Sequence, residues 1–319
     1  MLTNRFLLIK SLGRSIWADV DHAVCQIYAA ELTGRIPVVY WGMESIYSAS
    51  MNTNSFELFF EPVSEFSPDD VIRPEYRYYP SVWKYENVLA DDTDKLKMED
   101  RDLKSMMNSD ADVLVSDVYY PLRAMMPWAK SDHWSYGMTP CQIYRKLFEK
   151  YLRVTPKIKK EIQRFINTNP SFRDERPILG VHVRENAIVN EVAQLYDLNE
   201  LYKPHIWDYI VRYNVRHVFV ITDSQKIFRQ YKKLYGKNDM MIYPDSKKRL
   251  FQPRIQTCLL DYPNKRHKGV ELQKDTIEII KDTCLAAQCD FFIGNGYSNL
   301  SNTVLRLKDW PETNIKLLY

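Results

Sequence analysis

The stretch Pro177-Ile-Leu-Gly-Val-His-Val-Arg184 reads as a buried β-strand that delivers a histidine and an arginine to one face at its C-terminal end. Side chains alternate faces along a strand, so His182 and Arg184, two positions apart, point the same way. In an open α/β sheet, ligands sit in the crevice beyond the carboxyl ends of the strands. A guanidinium there suits a pyrophosphate, because its planar fork offers two parallel charge-assisted hydrogen bonds. A structural role fits the same pair, with Arg184 in an ion pair and His182 as a hydrogen-bonded core residue. The flanking segments bear on which role applies.

Downstream the pattern alternates. A helix is expected over Leu198 to Tyr213, a strand over His217 to Thr222, a helix over Ser224 to Tyr235 and a strand over Met240 to Tyr243. A long helix over Val270 to Gln288, a strand over Cys289 to Ile293 and a helix over Ser298 to Leu307 complete a doubly wound α/β domain. Upstream, Phe6 to Lys10 is a short apolar strand, followed by a turn at Ser11-Leu-Gly-Arg14. A helix runs from about Ala18 to Leu32, with Val20, Val24, Ile27, Tyr28 and Leu32 at helical spacing and Gly34 just past its end. Ile36 to Trp41 is the next strand, which makes a βαβ unit and implies a parallel sheet. The pattern then loosens between Met43 and Arg101, and resumes with a strand at Ala111 to Ser116 and helices at Pro140 to Leu152 and Pro156 to Ile166. Asn167 to Arg176 is the expected linker. The chain is therefore expected to form two Rossmann-type α/β domains facing across a cleft. One spans 1–170, with an irregular insertion over about 43–105, and the other spans 171–319.

Composition removes several classes. The chain has 319 residues, long enough for two domains, and its 44 basic and 41 acidic side chains leave a net charge of +3. That balance does not describe a nucleic-acid binder. The basic runs Lys157 to Lys160, Lys247 to Arg249 and Lys265 to Lys268 read as solvated faces. The 22 tyrosines and 7 tryptophans exceed what a core needs, and such residues often line carbohydrate or interface surfaces. The cysteines Cys25, Cys141, Cys258, Cys284 and Cys289 are odd in number and unpaired in spacing, as expected of free thiols in a reducing compartment. Without a leader-like segment or a long apolar run, a cytoplasmic protein is expected, with peripheral contact at a membrane left open and the oligomeric state unknown.

Three strand ends then converge. His182 and Arg184 close one, Thr222-Asp223-Ser224 the next, and Gly294 the third, which runs into Asn295-Gly-Tyr-Ser-Asn-Leu-Ser301. Ser298 is an expected N-cap, and the helix end beyond it presents unpaired N–H groups and partial positive charge. Gly294 and Gly296 let that backbone approach a ligand. An arginine fork, a carboxylate and a helix N-terminus make a nucleotide-diphosphate site that needs no metal. Asp223 could accept from a guanine or cap the following helix. There is no Walker A or G-x-G-x-x-G sequence, and Asp92-Thr-Asp94, which formally fits a metal motif, sits in a polar stretch with no strand before it.

Gly180-Val-His-Val-Arg184, Val218-Phe-Val-Ile-Thr-Asp-Ser224 and the region from Lys268-Gly269 to Ser301 resemble the three motif regions of the α-1,6/α-1,2/protein-O-fucosyltransferase superfamily. The segment from Leu12-Gly-Arg to Thr33-Gly-Arg-Ile-Pro-Val-Val-Tyr-Trp41 is similar to the start of the rhizobial chitin-oligosaccharide fucosyltransferases. The resemblance implies a GT-B fold and an inverting, metal-independent glycosyltransferase using GDP-fucose, with a glycan or glycolipid acceptor and no further cofactor. It implies that Arg184 holds the β-phosphate and His182 contacts the nucleotide, with Asp223, Ser224, Gly294, Ser298, Asn299 and Ser301 also at the donor. The family continues His-x-Arg-x-Thr-Asp, whereas this chain has Glu185-Asn186-Ala187. A different sugar nucleotide, such as UDP-xylose or GDP-mannose, and a non-catalytic binding scaffold are the rivals. Glu191, nine positions after His182, is the candidate base or else a surface glutamate at a helix start. Asp19, Asp21 and His22 are expected to bind the acceptor, with exposed polar positions on a helix as the other reading of Asp21 and His22. Phe56, Phe59 and Phe60 are expected in the core, with an aromatic platform for sugar as the other reading.

Overall fold

The computed structural model describes residues 4–42, 45–48, 53–90, 101–184, 195–244 and 269–318. They divide into two compact units, Met1–Thr155 with Thr257–Gln273, and Pro156–Gln256 with Lys274–Tyr319.

The first unit opens with β1 (Phe6–Lys10), α1 (Ile16–Leu32) and β2 (Ile36–Tyr40). β1 is buried along its whole length, as expected of a strand covered on both faces. β3 (Tyr78–Tyr79), α2 (Leu103–Asn108), β4 (Val113–Ser116), α3 (Leu122–Met125) and α4 (Pro140–Tyr151) follow. The sheet order is β2-β1-β4-β3 and all pairs are parallel. The described residues of the irregular region carry little regular structure yet are well packed: Phe56, Phe59, Phe60, Val71, Trp83 and Val88 are buried. Phe56, Phe59 and Phe60 are thus core residues. β3 is a strand that the sequence pattern did not mark.

The second unit contains α5 (Pro156–Thr168), α6 (Pro170–Arg173), β5 (Ile178–Val183), α7 (Leu195–Tyr213), β6 (His217–Thr222), α8 (Gln225–Tyr235) and β7 (Met241–Ile242). α9 (Gly269–Gln288), β8 (Phe291–Asn295), α10 (Asn299–Leu307) and β9 (Ile315–Leu318) complete the chain. Its sheet is wholly parallel, in the order β7-β6-β5-β8-β9, with β5 in the centre and buried throughout. The expected linker around residue 170 is part of this core instead. Phe165 and Phe172 pack edge-on against Phe219 of β6, with ring centroids 6.1 and 5.7 Å away. The division between units therefore falls at Thr155 and Pro156, ahead of α5.

Candidate functional site

From β5 the chain moves outward to β6 and β7, then returns to β8 on the opposite flank. The connections diverge at the carboxyl ends of β5 and β8, the switch point where α/β sheets hold ligands. Val181 pairs with Ile293, so His182 and Gly294 come next along neighbouring strands.

His182 is buried, and its Nδ1 lies 2.8 Å from Ser301 Oγ. The same hydroxyl accepts from the Asn295 backbone N–H at 3.0 Å. The Ser301 hydroxyl thus joins the His182 ring to the Asn295 backbone. Burial first, and then the charge of Arg184, push the imidazole down to about 3, so the ring is neutral at physiological pH. Tyr202 of α7 donates to the His182 carbonyl at 2.8 Å and ties down the strand end. Arg184, the residue after β5, is half-buried, and Asn199 donates to its carbonyl at 3.3 Å.

Gly294 permits the close approach of α10. A Cβ there would stand 2.5 Å from Ser301 Oγ and 2.6 Å from Phe292 Cε1, closer than any side chain tolerates. The turn beyond is pinned from several sides. Asn295 Oδ1 accepts from Tyr297 N–H at 2.8 Å, and Asn302 Nδ2 donates to the carbonyls of Gly296 and Ser298 at 2.8 and 3.1 Å. Gly296 N–H donates to Leu318 O of β9 at 3.0 Å. Asn295 Nδ2 is buried with no hydrogen-bond partner. Ser298 occupies the N-cap position of α10, but its hydroxyl makes no capping bond, so the expected cap is positional only. Asn299 opens the helix and is exposed.

At the end of β6, Ser224 is the cap of α8: its Oγ accepts from Ile227 N–H at 3.2 Å. Of the two roles open to Asp223, the capping role therefore belongs to its neighbour. Ser224 is buried, and its hydroxyl oxygen serves that cap. Asp223 is half-buried at the strand tip.

The acceptor-side expectation changes more. Asp19 is fully buried: Ser11 Oγ donates to its carboxylate at 2.6 Å, and the backbone N–H groups of Leu12 and Arg14 do so at 3.3 and 3.2 Å. It builds the loop after β1 and does not face out. Burial pushes its carboxyl up to about 6 against those three hydrogen bonds, which pull the other way. His22 is also fully buried, and burial lowers its imidazole to about 4 against backbone hydrogen bonds at Ser116 and Lys10 that pull the other way. Asp21 accepts from Tyr119 OH at 2.8 Å and is half-buried, the one member of the trio that reaches toward the surface. Position in the first turns of α1 suggested exposure; the loop folding back over that turn removes it.

Several residues went unmarked in the sequence. Tyr202 and Asn302 carry no local signal, since their partners lie on other elements. Asn295 stood within the quoted turn, where asparagine commonly closes on its own backbone. Asp117, just past β4, takes two bonds from Arg101 at 2.8 and 2.9 Å and one from Trp83 Nε1 at 3.1 Å, a buried hub that only the fold assembles. Glu191, Glu185-Asn186-Ala187 and Asp92-Thr-Asp94 lie outside the described residues. Among the described residues, no cluster of three or more His, Cys, Asp or Glu side chains could hold a metal ion, and no helix is long and apolar enough to cross a membrane.

No protein-family model matches this sequence, and no curated protein sequence does either. Solved structures do. NodZ alpha-1,6-fucosyltransferase soaked with GDP-fucose superposes with a TM-score of 0.59 at 16% identity, over 95% of this chain and 92% of that one. Fucosyltransferase NodZ from Bradyrhizobium gives 0.54 at 17% identity over 95% and 92%. POFUT1 in complex with GDP gives 0.55 at 13% identity over 99% and 98%. The fold is the GT-B-like fold of these fucosyltransferases. At 13–17% identity the likeness is one of fold.

Proposed function

We propose that the protein is an inverting, metal-independent glycosyltransferase that takes fucose from GDP-fucose and passes it to a hydroxyl of a glycan or glycolipid. The observation that carries this reading is the pairing, at one switch point, of Arg184 and a buried neutral His182 with the glycine-asparagine turn into α10. The fold's solved examples with GDP and GDP-fucose bound support a nucleotide-sugar donor. The acceptor hydroxyl attacks the anomeric carbon from the face opposite the nucleotide, and the bond to the diphosphate oxygen breaks. Negative charge then grows on the β-phosphate. Arg184 and the N–H groups at the start of α10 meet it, a fixed arrangement that needs no reorganisation during the step. His182, buried and neutral, contacts the nucleotide as an uncharged imidazole. Glu191 is the proposed base, taking the acceptor proton as attack proceeds.

One departure favours a second reading. Glu185-Asn186-Ala187 stands where the resembled family has x-Thr-Asp, and that change bears on donor choice more than on the diphosphate seat. A GT-B transferase using UDP-xylose or GDP-mannose fits it. Thermal-shift titration with GDP, UDP, GMP and their sugar conjugates, with and without EDTA, separates these, because a ligand of the native state raises its stability by RT ln(1 + [L]/Kd). Stabilisation by GDP that survives EDTA is the expected result. A response to UDP alone reassigns the donor, and silence with every nucleotide overturns the transferase reading.

A further inference from the structure

We propose that the first unit carries a second saccharide-binding site, built on Trp134 and remote from the β1–α1 loop, for a short uncharged oligosaccharide. This goes beyond the transferase reading and shares no residue with the switch point of the second sheet. A cavity of about 320 Å³ is lined by Trp134, Lys146, Leu147, Glu149 and Lys150. Its volume lies at the small end of the range for small-molecule sites.

The tryptophan is fixed before any ligand arrives. Its Nε1–H donates to Glu31 Oε2 at 2.7 Å, and its ring sits edge-on to Tyr28 and tilted against His133, with centroids 6.3 and 5.4 Å away. That layer is itself braced: Ser135 Oγ lies 2.8 Å from both Tyr28 OH and His133 Nδ1. A rigid aromatic ring gives contact area at little cost in side-chain entropy. The axial C–H groups of a pyranose form an apolar face that matches such a ring, while its hydroxyls need donors and acceptors around the edge.

The charges at the cavity cancel. Lys150 is taken up by Glu31, whose Oε1 accepts from Lys150 Nζ and Tyr151 OH at 2.6 Å each. That leaves Lys146, its Nζ 5.5 Å from the Trp134 ring centroid, and Glu149, both exposed and of opposite sign. The exposed Lys146 ammonium stands over the indole and swings aside when a sugar stacks there, so that it and the Glu149 carboxylate supply a donor and an acceptor for hydroxyl groups with no net field to select an anion. Glu31 lies in the last turn of α1, a helix of 17 residues and about 25 Å long, while Asp19 and its loop lie at the other end. The site is suited to hold a saccharide chain at a distance from the loop end of the unit.

The test follows the indole N–H resonance of Trp134, identified by its loss in Trp134→Phe, during titration with chito-, cello- and malto-oligosaccharides. At least one is expected to move it, with Trp134→Ala weakening binding by about tenfold or more and Glu149→Ala by a few-fold, as for an aromatic anchor and a rim contact. The thermal shift produced by nucleotides should be the same in both variants as in the wild type. If Trp134→Ala does not fold, the double variant Lys146→Ala/Glu149→Ala removes the rim and is expected to weaken binding instead. The proposal is overturned if no uncharged oligosaccharide moves the resonance at up to about 10 mM, a range that would catch even millimolar affinity. It is equally overturned if a folded Trp134→Ala binds as the wild type does, or if only anionic sugars bind and Lys146→Ala abolishes it. A silent nucleotide titration would sink the transferase reading and leave this result standing.

Discussion

At the switch point of the first sheet, between β1 and β4, the loop turns its donors inward. Ser11 Oγ and the N–H groups of Leu12 and Arg14 all reach Asp19. At the switch point of the second sheet, the group that receives the Asn295 N–H is the neutral Ser301 hydroxyl, Asn295 Nδ2 is buried without a partner, and an arginine stands at the strand tip. The two ends share a topology and differ in what answers the backbone. A loop that supplies its own carboxylate has already spent its donors and repels a further anion. One that is satisfied by a hydroxyl keeps its positive character. Topology marks both as places for a ligand, and the local hydrogen bonding separates them, which is why we propose the second as the diphosphate seat.

The strongest way to break this contrast is Arg184→Ala. Removing one group that stabilises developing charge costs about 3–4 kcal/mol, or ~10²–10³ in rate. Sugar transfer measured by initial rates should fall by that factor while the thermal midpoint stays near the wild-type value, and wild-type turnover would remove Arg184 from the mechanism. Gly294→Ala comes next. The new methyl group meets Ser301 Oγ and Phe292 within 2.6 Å, so urea denaturation should show a loss of about 1–3 kcal/mol, the usual cost of overpacking. GDP-dependent stabilisation should shrink with it, because His182 and Asn295 share the displaced hydroxyl. A fully stable Gly294→Ala would mean that α10 can move away freely.

The first sheet is sharpened by pH. Asp19 titrates near 6 in the folded chain against 3.8 ordinarily, so between about 6 and 4 the folded form binds a proton that the unfolded form does not. As pH falls through that window, the wild type should gain stability relative to Asp19→Asn, read as the difference in urea midpoints. The opposite trend would show that the three donors outweigh burial and keep the carboxylate charged. The smallest expected effects compare two serines at the starts of helices. Ser224→Ala removes a made cap and should cost about 1 kcal/mol, whereas Ser298→Ala removes none and should stay within about 0.5 kcal/mol.

What could be read without the fold follows from how local its cause is. β5 and β6 are continuous apolar runs bounded by polar residues, and both were legible within a residue of their ends. β9 was missed because Ile315–Leu318 is short and mostly half-buried at a sheet edge, with no strong pattern. β3 is two residues long and exists through its pairing with β4. The placement of His182, Arg184 and Gly294 at neighbouring strand ends was legible from strand alternation and turn chemistry. Ser301 was reached through its serine-rich turn, but its bridge between His182 and Asn295 depends on packing of α10 against β8. The burial of Asp19 has the same kind of cause, since the loop after β1 closes on a carboxylate in the first turn of α1.

Lys10 ends β1 with its ammonium buried, 3.9 Å from the Trp83 ring centroid and donating to the carbonyls of Val88 and Ala90. All three partners belong to the irregular region, so this amine can meet an acylating reagent only after that region lifts from the sheet. Its labelling rate under native conditions, followed by peptide mass spectrometry, is therefore a clock for that opening.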